Sequence, residues 1–113
     1  MKIRNLCVAL FLWCACGLPL LALDGGGEPA AAGEGAKVYA AQHCMMCHSI
    51  EGKGNKKTPL DGVGDRLKSE EIRKWIVSPR EMKHGTIMKP YPSLPPKDLE
   101  ALVNYLAGLK KKQ

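Results

Sequence analysis

The sequence predicts a small all-α domain in which three helical segments are joined by two long loops around a group fixed to the chain. Three observations carry that prediction. Cys44-Met45-Met46-Cys47-His48 reads C-x-x-C-H, the attachment signature of c-type haem. Leu99, Leu102, Val103 and Leu106 recur at i, i+3, i+4, i+7, the spacing of one helix face. No stretch makes a convincing strand, and the only Phe, Phe11, lies in an apolar N-terminal leader, so the domain is short of core of its own. A haem seated between the loops supplies the missing apolar centre.

Taken in order, the chain opens with Lys2 and Arg4 and then an apolar run of 18 residues from Leu6 to Leu23. Residues 1–23 read as a signal peptide, with Leu20-Leu21-Ala22 a poor match to a small-residue cleavage site. Left uncut, the run sits at the lower edge of bilayer-spanning length and becomes an N-terminal anchor. Both readings export the domain to the periplasm, outside the cytoplasm, where covalent haem attachment takes place. Cys7, Cys14 and Cys16 lie in the leader, which leaves Cys44 and Cys47 as the only thiols of the exported part. About 90 residues then remain, enough for one small domain.

Residues 24–32 are rich in Gly, Ala, Pro and Glu and read as a flexible linker; the domain is read over 33–113. Its first helix is expected from Gly33 or Glu34 through Ala41, which sets the cysteine motif at a helix end. Two thiols three positions apart can reach the two vinyl groups on one porphyrin edge, and His48 is then placed under the iron as the proximal ligand. A thioredoxin-like pair would sit beside a βαβ pattern that is missing here. A zinc site needs about four ligands, and only His84 is distant enough to close a loop with Cys44, Cys47 and His48 or His43. A Cys44–Cys47 disulfide would close a very short, strained loop.

Residues 49–68 contain Gly52, Gly54, Gly62, Gly64 and Pro59 without helical periodicity, and a loop that long usually binds something. A short helix follows, with Ser69 as expected N-cap, Glu70 and Glu71 in its first turn, and Ile72, Trp75, Ile76 and Val77 on its apolar side. Ser78-Pro79 ends it. The second loop runs from Pro79 to Pro95 and carries Met82, His84, Met88 and Tyr91. Pro96 fits the first turn of the last helix. Beyond Gly108, the run Lys110-Lys111-Lys112 is expected to be a solvated tail.

Outside Lys2 and Arg4, 15 basic residues face all 11 acidic ones, a charge of +4. Two ionised haem propionates lower it to about +2. Such mild basicity suits an acidic protein partner or an anionic membrane surface. The lysines are spread out with no aromatic interleaving, which argues against nucleic acid.

With these residues in view, the chain resembles the class I cytochrome c family of small single-haem electron carriers, over roughly residues 33 to 109. Besides C-x-x-C-H, Gly35-Ala36-Lys37-Val38-Tyr39 looks like the Gly-x-x-x-aromatic of that family's first helix. Leu102-Val103-Asn104-Tyr105-Leu106 looks like its last helix, whose aromatic packs across the first. The resemblance implies a cytochrome c fold, one haem c held by Cys44 and Cys47, and iron ligated by His48 and Met88. Thr58-Pro59-Leu60 resembles the proline segment whose backbone carbonyl accepts a hydrogen bond from the proximal histidine. Met88-Lys89-Pro90-Tyr91 resembles the loop bearing the distal methionine, although Pro90 follows Met88 by two residues instead of one.

Met82 and His84 are the rival sixth ligands, His84 giving a bis-His iron of lower potential, though an exposed loop histidine is the favoured expectation for it. Tyr91, Trp75 and Arg66 could bond a haem propionate. For Trp75 a place on the helix's core face is an equal expectation. The expected function is single-electron transfer, with no acid, base or nucleophile required and hence no enzyme activity. Lys53, Lys56, Lys57, Lys83 and Lys89 lie in the two loops and could steer redox partners with an acidic docking surface. The competing expectation is a gas sensor or peroxidase with an open or bis-His site.

Overall fold

The computed structural model describes residues 28–113; the leader and the first part of the linker stretch lie outside the described residues. Among these residues there are five α-helices: α1 (Glu28–Ala41), α2 (Val63–Arg66), α3 (Ser69–Val77), α4 (Pro79–Met82) and α5 (Pro96–Ala107). A single 3-10 turn spans Cys44–Met46, and two short strands, β1 (Ser49–Ile50) and β2 (Lys53–Gly54), pair antiparallel with Ser49 opposite Gly54 and Ile50 opposite Lys53. None of the described helices is long and apolar enough to cross a membrane.

Three of the helices are the expected ones, with shifted edges. The first begins at Glu28, so residues 28–32 of the stretch read as linker are helical. The local chemistry explains it: Pro29 is pre-set for a first helical turn, and Ala30, Ala31 and Ala32 are the best helix formers. The third helix is capped at Lys68 and not at Ser69, which is its first helical residue. Glu71 reaches back to accept the Lys68 backbone N–H at 2.8 Å, satisfying an amide that the helix leaves without a partner. Pro96 occupies the first turn of the last helix, as expected.

The expected long loops hold more structure than their sequence signalled. Residues 49–54 form a hairpin whose two turn residues, Glu51 and Gly52, both have positive φ (51° and 75°). That geometry matches the twist of paired strands. The single-turn helices α2 and α4 break up the rest.

The core is made by α1, α3 and α5. Val38 and Tyr39, Ile72 and Ile76, and Leu102, Val103 and Leu106 are buried together with Val63, and Val103 is wholly inaccessible. Leu99 packs on this cluster from its edge. Gly35 lies where α1 meets α5; a Cβ there would overlap the Tyr105 Cβ and the Ala101 carbonyl. With that space kept clear, the Tyr39 and Tyr105 rings meet edge to face at 6.2 Å between centroids.

The run Lys110-Lys111-Lys112 is exposed and lies beyond the last helix, as a solvated tail requires, and it is also tethered. Lys110–Lys112 does not stand free but lies along the 51–65 segment. The Leu109 carbonyl accepts the Gly64 N–H at 3.1 Å, the Lys111 N–H donates to Asp65 at 2.7 Å, and Lys112 pairs with Glu51 at 2.7 Å. The partners lie 45 or more positions away in sequence, which periodicity cannot reveal. These ion pairs are exposed, so each is worth only about 0–1 kcal/mol. The backbone bonds do the tethering.

Candidate functional site

The C-x-x-C-H stretch is shaped by how α1 ends. His43 adopts a left-handed conformation (φ 55°) that turns the chain out of the helix, its N–H donating to the Ala40 carbonyl at 3.0 Å. The next turn is tight. Cys47 and His48 both donate backbone N–H groups to the Cys44 carbonyl, at 3.1 and 2.9 Å. Cys44 and Cys47 are therefore one turn apart, as two neighbouring thioether bonds require. Both are free thiols, Cys44 half-buried and Cys47 exposed, and burial pushes the Cys44 thiol up.

His48 follows directly. Its Nδ1 lies 3.0 Å from the Thr58 carbonyl. A carbonyl can only accept, so Nδ1 carries the ring proton and Nε2 keeps its lone pair for a metal. The expectation named the Thr58-Pro59-Leu60 segment, and the accepting carbonyl within it belongs to Thr58, the residue before Pro59. Pro59 itself bridges to Ser49, and the Thr58 carbonyl also accepts the Ser49 N–H at 3.4 Å. The His48 main chain is held from the other side: the Tyr39 hydroxyl donates to its carbonyl at 3.3 Å.

Tyr91 ties the second loop to this turn. Its hydroxyl donates to the Gln42 carbonyl at 3.2 Å, two residues before Cys44, and its N–H donates to the Ile76 carbonyl at 2.9 Å. Burial raises its pKa first, and the nearby Cys44 and Cys47 thiols raise it further. The Tyr91 hydroxyl proton, expected at a haem propionate, lies on the Gln42 main-chain carbonyl in the structure. Met88, three residues earlier, is half-buried, with its N–H on the Thr86 hydroxyl at 3.3 Å. Met82 is half-buried at the end of α4, and His84 is exposed. Trp75 is half-buried and stands outside the core cluster. Arg66 donates to the Asp61 carbonyl at 3.4 Å.

Large apolar side chains face outward: Met45 and Met46 of the turn are 44% and 70% exposed, and Ile87, next to Met88 in the second loop, is fully exposed. Among the described residues no group of three or more His, Cys, Asp or Glu could hold a metal ion by itself. Two unpaired thiols on one turn beside an imidazole with a free Nε2 fit a covalently attached haem better than a zinc ion.

Sequence reasoning reached the His48 acceptor only as a three-residue segment, and it missed the Tyr39 hydroxyl and Asn55, whose side chain donates to the Met46 carbonyl. Only Tyr39 left a signal, as an aromatic at the end of the first-helix pattern.

Burial pushes the Tyr39 phenol up to about 12, helped by Cys44, Tyr105 and Asp61. A phenol whose folded pKa exceeds its unfolded value of about 10 stabilises the fold fully below that pH; the stability is lost as pH rises towards 12, because the unfolded chain ionises first. Tyr39→Phe is expected to flatten the fall in stability between about pH 10 and 12. Chemical denaturation across that range, with tyrosinate absorbance as a second readout, checks it. An unchanged slope would assign the alkaline loss to Tyr91 and Tyr105.

A family model for cytochrome c matches residues 32–110. Cytochrome c oxidase subunit 2 of Alkalihalophilus pseudofirmus is 32% identical over 88 residues, covering 70% of this chain and 26% of that protein. The Bacillus subtilis protein of the same description is 27% identical over 93 residues, covering 68% and 26%. The chain spans about a quarter of the length of these curated relatives. The matched region holds the cysteine turn, the Thr58 carbonyl, the Tyr91 tie and the α1–α5 contact, and by that match the chain belongs to the cytochrome c family.

Proposed function

We propose that this chain is a single-electron carrier, with one haem c attached through Cys44 and Cys47 and ligated by His48 and Met88. Family membership implies the haem, which supplies an iron that cycles between ferric and ferrous states. The observation that carries the reading is His48: with Nδ1–H committed to the Thr58 carbonyl, its Nε2 is the nitrogen left to bind iron, oriented and made more basic. Met88 is the sixth ligand of choice because it is half-buried in the loop that Tyr91 ties beside Cys44. No acid, base or nucleophile is required, so the protein acts as a carrier and not as an enzyme.

The loops that bear these residues would hold the haem, which would exchange electrons through an edge near the surface. Lys53, Lys56, Lys57, Lys83 and Lys89 are all exposed, and Lys89 stands 5.4 Å from the Tyr91 ring centroid. They steer an acidic docking surface and let it leave quickly. The relatives named as cytochrome c oxidase subunit 2 support an oxidase as one redox partner. The leader read at residues 1–23 supports export of the domain to the periplasm, with membrane attachment where the leader is retained.

Expression of the full chain in a host competent for haem attachment tests this. The mass should rise by one haem, the ferric spectrum should be low-spin with the weak long-wavelength sulfur-to-iron band, and reaction with an acidic redox protein should slow as salt is added. A colourless product would end the haem reading. A high-spin spectrum with ready carbon monoxide binding would replace the carrier by a gas sensor or peroxidase, and a salt-independent rate would remove the steering lysines.

A further inference from the structure

The main-chain carbonyls of Met45, Met46, Cys47 and His48 all find donors in one short segment, Asn55–Thr58. The Asn55 N–H is shared between the Met45 and His48 carbonyls, at 3.0 Å each. The Asn55 side-chain amide donates to the Met46 carbonyl at 3.2 Å, and the Thr58 hydroxyl donates to that of Cys47. The Asn55 side-chain oxygen then accepts the Lys57 N–H at 3.1 Å, which bends the chain towards Thr58. Gly54 permits this close approach: its φ is 103°, and a Cβ there would overlap the His48 carbonyl.

We propose that Asn55 is a positioning residue for the haem: its side chain joins the underside of the cysteine turn to the turn that presents the Thr58 carbonyl to His48. Its two side-chain bonds act on different partners. The amide holds Met46, between the thiols, and the oxygen sets the path from Lys57 to Thr58. Together they couple the thiol positions to the plane of the His48 ring. Main-chain bonds at Asn55 are kept by any residue, so the coupling depends on a side chain that both donates and accepts at this reach. Asp offers only acceptors when ionised, and Ala offers neither. The proposal rests on haem attachment at Cys44 and Cys47 with His48 as ligand.

NMR on the full-length holoprotein tests it with Asn55→Ala and Asn55→Asp. In the reduced protein, Asn55→Ala should speed exchange of the Lys57 amide and of the His48 ring N–H by roughly fivefold each, the factor for one lost hydrogen bond. In the ferric protein its haem-methyl shifts should move, because they report the His48 ring plane. Asn55→Asp should keep the Lys57 amide protected yet still move the haem-methyl shifts, since the Met46 carbonyl loses its donor. Wild-type haem-methyl shifts and His48 exchange in both variants would overturn the proposal and leave Asn55 a turn former. If Asn55→Ala does not accumulate, Asn55→Asp decides alone on the haem-methyl shifts. A wild-type chain without covalent haem would instead overturn the functional reading beneath it, which mass spectrometry shows before any variant is made.

Discussion

Met88→Ala is expected to remove the weak sulfur-to-iron band from the ferric holoprotein, turn its spectrum towards high spin, and let the reduced form bind carbon monoxide. The change should stay local. The bonds that hold the Met88 loop are the Tyr91 hydroxyl on the Gln42 carbonyl, the Tyr91 N–H on the Ile76 carbonyl, and the Met88 N–H on the Thr86 hydroxyl. None uses the Met88 side chain. Losing a thioether also removes a soft ligand that favours ferrous iron. The potential should therefore fall by a sizeable part of the roughly 0.8 V range that axial ligands command. Optical spectra and a redox titration of wild type and variant measure all of this. A band that survives in Met88→Ala would transfer the role to Met82, half-buried at the end of α4. A low-spin wild type without the band would transfer it to His84.

What the sequence made legible follows from the range of each signal. The face of α5 was readable because Leu99, Leu102, Val103 and Leu106 lie within two turns, and all four are buried in the core or packed against it. Cys44, Cys47 and His48 were readable because their chemistry depends on spacing within a single turn. The Gly35–Tyr105 contact was reached through family resemblance, and the structure places the two in contact. The 49–54 hairpin was hidden because strands of two residues cannot show alternation, and Glu51 gives no hint of a positive φ. The acceptor for His48 was hidden in another way: a main-chain carbonyl is common to every residue, so identity could not separate Thr58 from Pro59. Asn55 was silent for a third reason. Polar loop residues are ordinary, and only the fold brings four carbonyls over this segment. The start of α1 was misread because Gly and Pro were weighed as linker signals, although Pro29 and the three alanines after Glu28 favour a helix.

Two glycines of α1 should respond to the same substitution with opposite sign. Replacing a helical Gly by Ala gains about 1 kcal/mol of propensity. At Gly33 nothing lies within 4 Å of the added Cβ, so Gly33→Ala should keep that gain. At Gly35 the same methyl group meets the Ala101 carbonyl and the Tyr105 Cβ. One is main chain and the other is fixed to it, so neither can rotate aside. Relief requires α1 and α5 to separate, at a cost of about 1–3 kcal/mol that should lie at the upper end here. The overlap outweighs the propensity, and Gly35→Ala should be destabilised by roughly 2 kcal/mol net. The displacement should also reach the cysteine turn, because α1 carries Tyr39, whose hydroxyl holds the His48 carbonyl, and ends beside Gln42, whose carbonyl holds Tyr91. Guanidinium denaturation of the two holoproteins measures the stabilities, and their ferric spectra report on the site. If Gly35→Ala were as stable as Gly33→Ala, the close approach of α1 and α5 would be wrong. If it were destabilised but spectrally unchanged, the helix contact would stand, and its link to the haem through Tyr39 and Tyr91 would not.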